Sequence, residues 1–288
     1  MTPRPFAALS FLIALATALP ALAEPPVWTV RDTDSTIVLF GSVHVLPADL
    51  DWRPDTLDAA LATADDLWFE TPVDAASEAE AGAAAQARGY LPADQSLSAL
   101  LTPEGRTRLD RVCGRLGISP AGVDRLRPWY ADVTLGVVAL MRQGATVTTG
   151  VERTLAEAAP AAQRRAFESS TEQIGFFADA PLADQLASLE DTLKQIDEDP
   201  AYYDRLIDAW ARGDTRAIQD LGLTPMKQIS VWLYDRLIVQ RNRRWVETIT
   251  QRMQGSGKTV IVVGVGHLVG PDSVPALLRA RGFTVEGP

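Results

Sequence analysis

The chain carries only two histidines, His44 and His267, and a single cysteine, Cys113. Each histidine stands three residues after a glycine that closes a β-rich run. Residues 36–40 lead into Gly41-Ser42-Val43-His44, and residues 260–263 lead into Gly264-Val265-Gly266-His267. A glycine at the carboxyl end of a strand lets the backbone turn sharply and approach a ligand closely. In open α/β sheets that edge is where ligands bind. Two glutamates also end short apolar runs, Glu70 after Leu67-Trp68-Phe69 and Glu168 after Ala166-Phe167. If all four strands run the same way, two imidazoles and two carboxylates converge at one sheet edge. Such a nitrogen and oxygen set suits a divalent ion, Mn²⁺, Co²⁺, Zn²⁺ or Fe²⁺, with positions left for water or substrate. Taken singly, each residue also has a plainer role, the histidines as hydrogen-bonded loop residues and the glutamates as solvated charges.

Arg241 is the remaining polar candidate, because Leu237, Ile238 and Trp245 flank it at helical spacing. A guanidinium among apolar neighbours needs an anionic partner. It could pair with Glu70 or Glu168, hold a substrate carboxylate or oxyanion, or simply snorkel to solvent. Other chemistries are poorly supported. No G-x-S-x-G frames Ser42 or Ser273, so a serine hydrolase is disfavoured. A lone Cys113 in a helical stretch reads as a small core residue. The Gly-rich stretch at 264–270 lacks the order of a dinucleotide loop and the lysine of a P-loop. Trp129 and Trp245 read as core aromatics.

The elements that must position these groups follow from pattern. Residues 27–30 and 36–40 form a hairpin across the turn-rich Arg31-Asp32-Thr33-Asp34-Ser35. Residues 67–69, 165–167, 258–263 and 283–286 are further strands, and helices are expected at 54–63 and 272–281. Between the strands lies a largely helical middle, about 73–160 and 171–254, ending in one long helix at about 225–254. The expected class is α/β (α+β), a mixed central β-sheet formed by N- and C-terminal strands and surrounded by helices. Residues 24–288 read as a single domain.

The 288 residues carry 27 Lys and Arg against 37 Asp and Glu, a net charge of −10. That balance argues against nucleic acid as a partner, because phosphate binding needs clustered cations. Residues 1–23 hold Arg4, an apolar run to Leu19, Pro20 and Ala21-Leu22-Ala23. This is the pattern of a Sec-type signal peptide cleaved after Ala23. The expectation is a periplasmic or secreted protein with no stable membrane anchor after cleavage.

Five segments together resemble the TraB/PrgY/GumN family: WTV with STIVLFGSVHVLP near the N-terminus, RLRPW, FESSTEQ, VQRNRRWVETI, and TVIVVGVGHLVGPDSVPALLRARGFTVE near the C-terminus. The resemblance covers residues 27–286. It implies a fold shared with the Tiki proteases and, more remotely, with erythromycin esterases and ChaN-like haem-binding proteins. Tiki-type members are divalent-metal-dependent proteases. Carried onto this chain, the motif positions are Gly41, His44, Glu70, Glu168, Arg241, Gly264 and His267. Ala-Phe-Glu-Ser stands where the family commonly has a Gly-Leu-Glu-Thr-like run. The resemblance implies a metal held by His44, His267 and Glu70, with Glu168 as a further ligand or base. The expected function is a metal-dependent hydrolase acting on a peptide or small-molecule substrate. The alternatives are a non-catalytic binding protein and a metal-free, esterase-like hydrolase with His44 as base.

Overall fold

The computed structural model describes residues 24–288, so the leader expected over residues 1–23 lies outside the described residues. Strands β1 (Val27–Arg31) and β2 (Ser35–Ser42) form the expected antiparallel hairpin. Asp32 closes its turn by accepting the Ser35 backbone N–H at 2.7 Å, the local bond that suits Asp to turns. A two-residue strand β3 (Leu46–Pro47) follows, then α1 (Asp55–Leu61) and β4 (Asp66–Phe69). β5 (Ala145–Thr146) pairs with β3 in a small separate sheet that the sequence pattern does not signal. β6 (Arg164–Ala166), β7 (Gly257–Gly264) and β8 (Thr284–Glu286) complete the main sheet, in the order β6-β4-β7-β2-β1-β8.

The four strands that precede the candidate residues are parallel neighbours. Phe69 lies opposite both Val262 and Ala166, and Gly41 lies opposite Val263. Their carboxyl ends therefore finish nearly level. β7 reads as an unbroken apolar run, Val260–Val263, because it is buried on both faces in the middle of the sheet.

The middle of the chain is helical as expected: α2 (Ala75–Arg88), α3 (Pro103–Leu116), α4 (Pro128–Arg142), α5 (Val151–Ala158), α6 (Ser170–Ala178), α7 (Leu182–Glu198) and α8 (Tyr202–Ala211). The helix expected at about 225–254 is not continuous. A helix over Thr224–Ile229 stops at Ser230, whose φ of −148° is extended and whose hydroxyl accepts the Leu233 N–H at 2.9 Å, starting a new helix. A π-helical turn, Asp235–Val239, then leads into α9 (Gln240–Met253), one residue before Arg241. Wide turns of this kind recur at functional sites. α10 (Val274–Ala280) precedes β8.

Two apolar cores result. One lies around the sheet and includes Leu39, Phe40, Val262, Trp210 and Trp245. The other lies among α3, α4 and α7 and includes Val112, Cys113, Leu135, Leu189 and Leu193. Cys113 is a fully buried packing residue, and burial pushes its thiol up. Among the described residues no helix is long and apolar enough to cross a membrane.

Candidate functional site

The edge where the parallel strands end holds a buried polar knot centred on Arg241. Glu70 leaves β4, and the Glu168 N–H donates to the Glu70 carbonyl at 2.9 Å, extending the β4–β6 pairing by one step. The Gly264 N–H donates to Glu70 Oε1 at 2.7 Å, and a Cβ on Gly264 would sit 3.0 Å from that oxygen. The first residue of the second Gly-x-x-His motif thus serves as a donor for Glu70. Glu70 Oε2 accepts from Arg241 Nη2 at 2.5 Å and from Gln173 Nε2 at 3.0 Å.

Glu168 receives more donors still. Arg241 Nε lies 3.0 Å from each of its oxygens, Arg241 Nη2 2.9 Å from Oε2, and Arg244 Nη2 and Trp245 Nε1 each 3.1 Å from Oε1. Trp245 is buried as the sequence suggests, but its indole N–H belongs to this knot. The third arm of Arg241, Nη1, donates to the Leu237 carbonyl at 3.2 Å and meets His267 Nε2 at 3.0 Å. The guanidinium also lies against the rings of Trp245 and Phe176, at 4.7 and 5.3 Å. Every face of Arg241 is occupied. It pairs with both glutamates at once and has no N–H left to hold a substrate oxyanion.

The protonation of His267 follows from its neighbours. The Asn242 amide nitrogen donates to the Asp272 carbonyl at 2.8 Å, so its oxygen faces His267 Nδ1, 2.6 Å away, and accepts the proton there. The Nε2 lone pair is left for Arg241. Burial, with the Arg241 and His44 charges adding to it and Glu70 opposing, pushes the pKa of His267 down to about 3. The ring is neutral at any ordinary pH. Burial alone would raise the Glu70 carboxyl, but Arg241, the two histidines and the Gly264 N–H outweigh it and hold the group well below the usual carboxylate range.

His44 is at the same edge but outside the knot. Its Nδ1 lies 2.7 Å from Glu152 Oε1, and 65% of its side chain is open to solvent. The Glu152 charge raises its pKa, burial opposes, the hydrogen bond to Glu152 adds, and the result is about 9. Glu152 Oε1 also accepts the Ser42 hydroxyl at 2.5 Å. The first turn of α5 delivers Glu152 because Gly150 lets that helix start against the His44 loop. A Cβ there would stand 2.1 Å from the His44 carbonyl, and the Val151 N–H donates to Val43 at 3.2 Å. Gly41 permits the matching approach of the other motif loop, since its Cβ would stand 3.1 Å from Val265 Cα.

The structure therefore joins Glu70, Glu168, Arg241 and His267 and leaves His44 with a partner that sequence reasoning does not single out. Glu152, Asn242 and Gln173 all escape that reasoning. The available signal for Glu152 is a carboxylate two residues after Gly150, at the start of a helix.

The expected ligand set of His44, Glu70 and His267 does not fit a metal ion in this arrangement. His267 Nε2 faces a guanidinium, and both Glu70 oxygens already accept hydrogen bonds. Among the described residues no group of three or more His, Cys, Asp or Glu side chains is placed to hold one.

A mixed α/β sheet with a buried Glu-Arg-Glu-His knot at its parallel edge, reached through two Gly-x-x-His loops, defines the class. The TraB/PrgY/gumN family model matches residues 26–287, and the chain belongs to that family. It is 26% identical over 243 residues to the uncharacterized protein YbaP of Escherichia coli (strain K12), covering 84% of this chain and 87% of that protein. The same identity and coverage hold for the uncharacterized protein YbaP of Shigella flexneri. No solved structure matches the chain at a significant level.

Proposed function

We propose that the protein is an exported hydrolase of carbonyl compounds, peptides foremost, in which His44 moves the proton. The observation that carries this reading is the contrast in access. His44 is the one imidazole of the site that is open to solvent, with Glu152 holding Nδ1 and Nε2 left to face a substrate or water. A carboxylate that orients an imidazole in this way is the usual support for a general base or acid. In the neutral form His44 Nε2 takes a proton from attacking water and returns it to the leaving group, while Glu152 stabilises the imidazolium formed between the two steps. The buried knot supplies a rigid, charge-compensated floor for the His44 loop. Export rests on the leader-like pattern of residues 1–23. No step is routed through a metal, because the ligand set does not fit one.

The test is turnover of a panel of fluorogenic peptides and p-nitrophenyl esters by protein lacking residues 1–23, with and without chelator, beside His44→Gln. Turnover that survives chelation and falls at least 100-fold in His44→Gln is expected. Equal turnover by the variant defeats the reading. Turnover that appears only on adding Mn²⁺, Co²⁺, Zn²⁺ or Fe²⁺ replaces the proposed step with metal chemistry. A second reading, ligand sequestration without turnover, is favoured by the saturation of Arg241. It predicts binding that depends on His44 with no product.

A further inference from the structure

A cavity of about 340 Å³ lies between α4, α7 and the helical turns that precede α9. Its size is at the lower end for small-ligand sites. One face of α4 contributes Asp132, Val133, Gly136, Val137 and Leu140, and Met226, Leu233 and Leu237 stand across from them. A Cβ on Gly136 would lie 3.4 Å from the Tyr203 hydroxyl, so the glycine keeps the space open at that end.

The walls are hydrocarbon, but the floor carries a carboxylate. Asp132 Oδ2 accepts the Ser188 hydroxyl at 2.6 Å, and Thr192 adds a second hydroxyl. Both are neutral donors. Among the described residues no Lys, Arg or His forms an ion pair with Asp132, and the charged group that acts on it is another acid, Asp191. Asp132 is half-buried, whereas the fully buried carboxylates Glu70 and Glu168 both pair with Arg241. A carboxylate in an apolar cavity with no countercharge is a site that a ligand cation would complete. An anion would be repelled there, and a neutral hydroxyl would gain only an ordinary hydrogen bond.

We propose that this cavity binds an alkylammonium or alkylguanidinium group, with its hydrocarbon stem along Val133, Val137, Leu140 and Leu233 and its charged head on Asp132. The side chain of a lysine or arginine in a peptide and a free alkylamine share this chemistry. The cavity wall is close to the knot, since the Leu237 carbonyl accepts from Arg241 and Phe177 follows the Phe176 ring against which Arg241 lies. The net charge of −10 draws cations toward the surface. The inference stands whether or not the sheet edge is hydrolytic, because its test reads binding alone.

The experiment is calorimetric titration of the whole exported chain with n-hexylammonium and with N-acetyl-Ala-Lys-Ala-amide, beside n-hexanol and hexanoate as matched controls. Both cations or one of them should bind, with hexanol and hexanoate at least tenfold weaker. Which cation binds more tightly identifies the source. Asp132→Asn should weaken the cation about tenfold, the scale of one charge-assisted hydrogen bond. Gly136→Leu, which fills the cavity from a helical position, should abolish binding. Hexanol binding to the unaltered protein as tightly as hexylammonium overturns the proposal without relying on any variant. So does undiminished binding by a folded Asp132→Asn protein, or no binding of either cation.

Discussion

The sheet edge and the helical cavity treat their carboxylates in opposite ways. At the edge, Glu70 and Glu168 are answered by Arg241 and Arg244, and each oxygen has at least one donor. In the cavity, Asp132 has hydroxyl partners and no countercharge. A compensated cluster is a fixed structure, whereas an uncompensated acid is a vacancy for charge. Polarity alone does not mark where a ligand goes. Within the edge itself the same contrast recurs between the two motif histidines, one buried and neutral, the other open and charged.

The largest test of this contrast is removal of the cation from the edge. Arg241→Met leaves two buried carboxylates facing each other and should destabilise the fold by about 3–5 kcal/mol, the cost of breaking a buried pair from one side. Urea unfolding measures it. A loss below about 1 kcal/mol would mean that the knot is wetter than its geometry indicates.

His44→Gln should remove turnover at least 100-fold, about 2.7 kcal/mol of transition-state stabilisation, and should spare the unfolding midpoint when this is read above about pH 9, where the imidazole has lost the charge that pairs with Glu152. A matched drop in stability would make His44 part of the fixed structure instead. Glu152→Gln sharpens this further. It should move the ascending limb of the rate profile from about 9 toward the ordinary histidine value of 6.5, because the charge that raises His44 is gone. A base works only when neutral, so the rate rises with pH through that limb. An unmoved limb assigns it to another group.

Acid should act on the two regions with opposite sign. The folded pKa of His267 is depressed to about 3 from an ordinary 6.5. Its contribution is present above pH 6.5 and is lost as pH falls toward 3, and Glu70, also depressed, follows at lower pH. Asp132 is raised by burial and by Asp191, so its protonation on acidification relieves a cost. Hydrogen exchange at pH 7 and pH 5 should therefore show protection falling in β4 and β7 relative to α4. Asp132→Asn should remove the relief on the α4 side. The smallest effect is expected at a surface cap: Thr102, whose hydroxyl accepts the Gly105 N–H at 2.9 Å, should cost about 1 kcal/mol on replacement by alanine. Turnover and cation binding should stay the same.

Much of the edge was legible because its logic is linear. Strand runs ending in Gly or Glu announce their own carboxyl termini, and parallel pairing brought Glu70, Glu168 and His267 together as the pattern implied. Arg241 was legible from its apolar flanks. Glu152 was not, because a glutamate in the first turn of a charged helix reads as a solvated residue that favours the helix dipole. Asn242 and Gln173 were hidden for the same reason: their roles are set by what lies opposite them in space. The break at Ser230 was hidden because a serine can either ride in a helix or cap a new one. Its bond to Asp184, 2.6 Å, decides the matter from a distant helix. The cavity beside Asp132 had no local signature, since one acid on an apolar helix says nothing about a missing countercharge.

The placement of β7 has a consequence for the history of each molecule. The strand that separates β2 from β4 is drawn from residues 257–264, near the end of the chain, whereas its two neighbours are finished by residue 69. During synthesis the first strands emerge with a gap between them that nothing nearby in sequence can fill. Gly264 and His267, which complete Glu70 and Arg241, arrive with that same strand. The edge is therefore assembled last and all at once, so a chain stopped short of residue 264 has neither a closed sheet nor a formed site.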